Sequence, residues 1–103
     1  MLRRVLEYIG DNLATNLSLR ELASSVQMDA FVFVRRFKQS TGLPPHQYLL
    51  RERIERAKSP LTDPKLPIAE IALRSGFASQ SHFATAFRRI SNLSPRAYRN
   101  AVT

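Results

Sequence analysis

Two groups of side chains in this 103-residue sequence could do chemistry: a pair of histidines, and a set of arginines, lysines and side-chain amides strung along short apolar-periodic stretches. His46 and His82 lie 36 residues apart with no carboxylate pattern around them, so neither a metal site nor acid–base catalysis is predicted. There is no cysteine, which removes thiolate metal sites, disulfides and a cysteine nucleophile. No Ser-His-Asp order, Gly-rich phosphate loop or pair of catalytic acids stands out. The sequence therefore reads as non-enzymatic, with no cofactor and no metal. What remains is cationic and hydrogen-bonding chemistry. Lys and Arg outnumber Asp and Glu by 16 to 8, for a net charge of +8, which suits a polyanionic partner. The excess is uneven: residues 1–50 carry +2 and residues 51–103 carry +6.

These side chains need elements to hold them. Hydrophobic residues make up 44% of the chain, enough for a packed core. No apolar run approaches the ~20 residues of a membrane span, and the N-terminus, interrupted by Glu7 and Asp11, is not that of a secretory signal. The absence of cysteine and of such segments fits a cytoplasmic protein. Leu2, Val5, Leu6, Ile9 and Leu13 have helical spacing, predicting a helix over about 2–12. Ser18-Leu-Arg-Glu21 is a capping box that opens a second helix through Val26. Asp29 caps a third over Ala30–Thr41, which Gly42 stops. Pro44-Pro45 opens a fourth, predicted to end at Lys58, because SPLTDPKLP carries three prolines and reads as a stiff connector. A fifth helix covers Ile68–Arg74. Ser79 caps a sixth over Gln80–Ile90, with Asn92 at its stop, and Ser94-Pro95 starts a seventh that ends near Ala101.

The chain repeats itself. At an offset of 49, Leu19, Glu21, Leu22, Ala23 and Met28 fall on Ile68, Glu70, Ile71, Ala72 and Phe77. At an offset of 50, Asp29, Phe33, Phe37, Lys38, Gly42, Leu43, Pro45 and Tyr48 fall on Ser79, Phe83, Phe87, Arg88, Asn92, Leu93, Pro95 and Tyr98. One extra residue in the second turn accounts for the change. Each copy has the outline helix, sharp turn, helix, in which the second helix can enter a DNA major groove. The prediction is an all-α fold of seven helices: a first helix-turn-helix subdomain over 1–44, a linker helix over 45–58, and a second subdomain over 59–103.

The stretch IAEIALRSGFASQSHFATAFRRISNLSPRAYR resembles the C-terminal signature of the AraC/XylS family of bacterial transcription regulators, through Ile71-Ala72, Gly76-Phe77, Phe83, Phe87, Pro95 and Tyr98-Arg99. Leu22-Ala23, Met28, Phe33, Phe37-Lys38, Gly42, Arg53-Ile54 and Ala57 extend it over nearly the whole chain. The resemblance implies sequence-specific binding of double-stranded DNA and control of transcription initiation. It also implies that the third and sixth helices read bases. With Phe33 and Phe37 turned inward, the opposite face of the third helix carries Ala30, Phe31, Val34, Arg35 and Lys38. The matching face of the sixth carries Gln80, Ser81, Ala84, Thr85 and Arg88. Gln80 suits adenine, Arg35 suits guanine, Val34 and Ala84 suit thymine methyl groups, and Phe31 suits either such a methyl or the sugar edge. Lys38, Arg88 and Arg89 suit phosphates. Two such helices in one chain would reach major-groove segments about 34 Å apart, so that a monomer binds an asymmetric site. The fourth helix is a second candidate surface, for RNA polymerase or a partner domain. Family members often carry a separate sensing or dimerisation domain; the two units fill these 103 residues, so the sequence is either the DNA-binding portion of a protein whose further domain is missing here or a naturally short regulator.

Overall fold

A computed structural model of the protein describes residues 2–103. It has seven helices and, among the described residues, no strand: α1 (Leu2–Asp11), α2 (Leu19–Ser25), α3 (Ala30–Thr41), α4 (Pro45–Leu61), α5 (Ile68–Arg74), α6 (Gln80–Ser91) and α7 (Pro95–Val102). The chain divides into two compact units between Leu49 and Leu50, inside α4.

In the first unit α1 packs on α2, and α2 on α3. Its core is Val5, Ile9, Leu13, Leu22, Ala23, Phe33, Phe37 and Leu49. The serine half of the capping box forms: Ser18 Oγ accepts from the Glu21 N–H at 3.0 Å, opening α2, while the Glu21 carboxylate accepts from the Ser18 hydroxyl at 3.3 Å. Asp29 caps α3 by accepting from Phe31 N–H at 2.9 Å. In the second unit α5 packs on α6 and α6 on α7, around Ile54, Ala57, Leu61, Ile71, Ala72, Phe77, Phe83 and Phe87. Ser79 caps α6 through His82 N–H at 3.1 Å, and Ser94 caps α7 through Ala97 N–H at 3.0 Å.

The repeat extends to bond geometry. Each first helix ends in a residue of left-handed backbone, Gln27 (φ 55°) and Gly76 (φ 94°). The next residue donates its N–H back to the helix: Met28 to Ala23 O at 2.9 Å, Phe77 to Ala72 O at 3.0 Å. Both are Schellman-type stops, with the apolar side chain folded onto the core. Each second helix ends at a left-handed residue, Gly42 (φ 82°) or Asn92 (φ 64°). The ring series matches too. Phe33–Phe37 centroids are 5.6 Å apart and Phe37–Tyr48 5.3 Å; Phe83–Phe87 are 5.6 Å and Phe87–Tyr98 5.5 Å.

One expected boundary fails. α4 does not stop at Lys58 but runs through Pro60 to Leu61. Proline breaks a helix interior because it lacks an N–H and its ring crowds the preceding turn. Here it falls in the last turn, where little helix remains to break. Ile54, Ala57 and Leu61 form one apolar stripe at helical spacing, each fully buried, and Leu61 in the core holds the extra turn in place. Beyond it the backbone tightens, Thr62 N–H donating to Ser59 O and Asp63 N–H to Pro60 O, both at 3.1 Å.

Candidate nucleic-acid interface

Neither α3 nor α6 contains an Asp or Glu, and both carry cations: Arg35, Arg36 and Lys38 in α3, Arg88 and Arg89 in α6. All five are exposed. Lys58 pairs with Glu55 at 3.0 Å and Arg74 with Glu70 at 2.6 Å, both outside these two helices. Each helix is pinned on its inner side by its phenylalanine pair, whose rings are fully buried or nearly so. A 12-residue helix held this way presents a fixed outer face.

On α3, the predicted reading residues Phe31, Arg35 and Lys38 are exposed. Phe31 is 74% exposed, the largest fraction of any exposed large apolar residue here, and the Arg35 guanidinium lies 5.9 Å from its ring centroid. Ala30 and Val34 are only half-exposed. Ala30 packs partly on the core. Val34 lines a cavity of about 200 Å³ with Leu17, Leu19, Leu22, Pro44 and His46. On α6, Gln80, Ser81, Thr85 and Arg88 are exposed and Ala84 half-buried. Ala84 and Gln80 line the corresponding cavity of the second unit, about 290 Å³, with Ile68, Ser94, Pro95 and Arg96. The predicted faces are thus brought together within each helix, with Ala30, Val34 and Ala84 on their inner margins.

The histidines play no joint part. His46 borders the first cavity, and His82 is exposed with its ring edge-on to Phe77 at 5.2 Å. No cluster of three or more His, Cys, Asp or Glu that could hold a metal occurs among the described residues. No helix among them is long and apolar enough to cross a membrane.

Three contributors escape a reading of the sequence. Arg99, noted there only as part of a motif, donates from Nε to Leu61 O at 3.0 Å and from Nη2 to Leu66 O at 2.6 Å. It bridges both ends of the α4–α5 connection, and its charge lies at the negative C-terminal end of α4. A separation of 38 residues gives no local signal. Gln27 occupies the left-handed turn position; its alignment with Gly76 at offset 49 is the clue that sequence alone could have supplied. Leu49 closes the first core from within α4. In the same helix Arg53 is half-buried, and burial lowers its pKa from the ordinary arginine value.

Two cation-bearing, acid-free second helices, each seated on a short first helix across a tight turn, define a tandem helix-turn-helix protein. A family profile described as "Helix-turn-helix domain" matches residues 22–101. The chain is 38% identical over 91 residues to LumQ of Photobacterium leiognathi, a probable transcriptional regulator, covering 88% of this chain and 37% of that one. It is 35% identical over 98 residues to the transcriptional activator RhaS of Klebsiella pneumoniae, covering 95% of this chain and 35% of that one. The crystal structure of the DNA-binding domain of AdpA, a global transcriptional factor in complex with a target DNA, superposes with a TM-score of 0.91 at 33% identity, over 97% of this chain and 90% of that one. The chain belongs to the AraC-type helix-turn-helix family. It spans about a third of the length of LumQ and RhaS.

Proposed function

We propose that the chain binds double-stranded DNA sequence-specifically and regulates transcription initiation, with α3 and α6 entering successive segments of the major groove. The observation that carries this reading is the pair of equivalent helices, free of acids and bearing cations, whose outer faces are exposed while their inner faces are fixed by buried rings. Groove docking needs that combination: a rigid element, a positive outer surface and side chains long enough to reach base edges.

Within the reading faces, Arg35 pairs with guanine and Gln80 with adenine, the residue types whose forks fit those bases. Ser81 and Thr85 add less selective hydrogen bonds. Val34 and Ala84 offer methyl contacts from the margins, and Ala30 allows close approach at the start of α3. Lys38, Arg88 and Arg89 hold phosphates and set the register. In a longer protein of the size of LumQ or RhaS, acting in the cytoplasm, a separate sensing or dimerisation domain would control these units, and RNA polymerase would be a further partner.

The test is binding to duplexes selected from a random pool, at several salt concentrations. The logarithm of affinity should fall linearly with that of salt, with a slope near −0.9 for each phosphate neutralised. One chain should occupy one site, and a 2:1 complex on a palindrome would overturn the tandem docking. Gln80→Ala should bring matched and single-base-altered sites closer by roughly 1–3 kcal/mol. An unchanged ratio between them would remove Gln80 from the reading residues.

A further inference from the structure

α3 displays an unusual pair on its outer face. Phe31 is 74% exposed, although a phenylalanine ring gains by burial, and nothing within its own unit covers it. Arg35, one turn further along, holds its guanidinium over that ring at 5.9 Å. The contact favours one orientation of an otherwise flexible fork. No acid lies on α3 to compete for the guanidinium. The downstream copy has Ser81 and Thr85 at these two positions, so the pair is not demanded by the repeated scaffold.

We propose that Phe31 and Arg35 act as one reader of a two-base step, a guanine preceded on the same strand by a pyrimidine bearing a 5-methyl group. This rests on the DNA-binding reading given above. The ring and the guanidinium are neighbours, so their targets in the groove are neighbours as well. The guanidinium fork fits guanine O6 and N7. The ring, apolar and prominent, fits the one apolar group on a major-groove base edge, the 5-methyl of thymine. That methyl is chemically the same on 5-methylcytosine. Duplex contact would thus cover the exposed ring while holding the fork against its guanine. The first unit would read methylation state at this step through a ring and a guanidinium acting together, a pair that Ser81 and Thr85 do not supply in the second.

The probes are modified duplexes of the site obtained by selection. Each thymine is replaced in turn by uracil, which removes the methyl alone, and each guanine by 7-deazaguanine, which removes N7. One uracil, directly 5′ of a guanine, should weaken binding roughly three- to fivefold, the worth of one buried methyl. Deazaguanine at that neighbouring guanine should also weaken binding. Both losses should disappear from the variants matched to them: the uracil effect from Phe31→Ala, the deazaguanine effect from Arg35→Ala, which removes every donor to N7. Phe31 is exposed, so Phe31→Ala should fold, and circular dichroism checks this. A thymine-guanine step exchanged for 5-methylcytosine-guanine should retain more affinity than the unmethylated form in the native chain only. If no uracil matters, or if its effect persists in Phe31→Ala, the pair is not the reader. Salt-sensitive, sequence-specific binding with no methyl dependence sinks this inference alone. Absence of binding to any duplex sinks the DNA-binding reading with it.

Discussion

The two units share their interior and differ at their surface. Phe33, Phe37 and Tyr48 in one are matched by Phe83, Phe87 and Tyr98 in the other, with ring spacings within a few tenths of an ångström. The outer faces have diverged, Phe31, Val34 and Arg35 standing where Ser81, Ala84 and Thr85 stand downstream. Close packing explains the contrast. A buried ring is held by neighbours on every side, and a change of one methylene is felt. An exposed side chain answers only to what binds it. On the proposed DNA-binding reading, the surface is therefore where the two units would take different sequences as targets while keeping one scaffold.

The stops show the same contrast on a smaller scale. Thr41 ends α3 with its hydroxyl donating to Phe37 O at 2.9 Å and accepting from Leu43 N–H at 3.2 Å. Ser91, its counterpart, has a buried Oγ with no partner. Gly76 takes the left-handed turn conformation at little cost, whereas Gln27 takes it with a Cβ in the way.

Four groups of substitutions test how far the equivalence goes. The largest effect is expected in the cores: Phe37→Ala and Phe87→Ala should each destabilise by about 3–5 kcal/mol in urea denaturation. Costs that differ by more than about 2 kcal/mol, beyond the spread for this substitution, would break the equivalence. Next comes Arg99, which belongs to one unit only. Arg99→Ala leaves two carbonyls without their charged donor and should cost about 2–3 kcal/mol. Arg99→Lys should recover only part of it, because an ammonium cannot span Leu61 O and Leu66 O as the fork does; full recovery would reduce the role of Arg99 to charge. A smaller difference separates the helix stops. Thr41→Ala should cost about 1–2 kcal/mol, while Ser91→Ala should be neutral or slightly stabilising, since it deletes a group already desolvated and unpaired. Equal costs would mean that Ser91 has a partner in solution. The smallest change, Gln27→Gly, should raise stability by about 0.5–1 kcal/mol by relieving the left-handed backbone. A loss on thermal melting would show that the Gln27 side chain stabilises the turn by other means.

Most of the fold was legible because its signals are local. Caps at Ser18, Asp29, Ser79 and Ser94, stops at Gly42 and Asn92, and phenylalanines four residues apart are all visible within one or two turns of sequence. The end of α4 departs from the expectation because proline is a local signal too, and burial of Leu61 outweighs it. The bridging role of Arg99 was invisible for the opposite reason: its partners are 33 and 38 residues away. On the proposed reading faces, helical geometry predicts the outward placement of Phe31, Arg35, Gln80 and Thr85. It could not separate the outward face from its margin, where Ala30, Val34 and Ala84 lie, because that depends on how closely α2, α5 and the following helices approach.

The acid-free composition of α3 and α6 has a consequence for handling the protein. The three cations of α3 repel one another when nothing binds them, as do the two of α6, and dissolved ions relieve that repulsion. The same ions compete with the protein for phosphates. Ionic strength therefore acts in opposite directions on the two equilibria, firming the free chain while loosening its hold on a nucleic acid. A buffer chosen for long storage will be a poor one for measuring affinity.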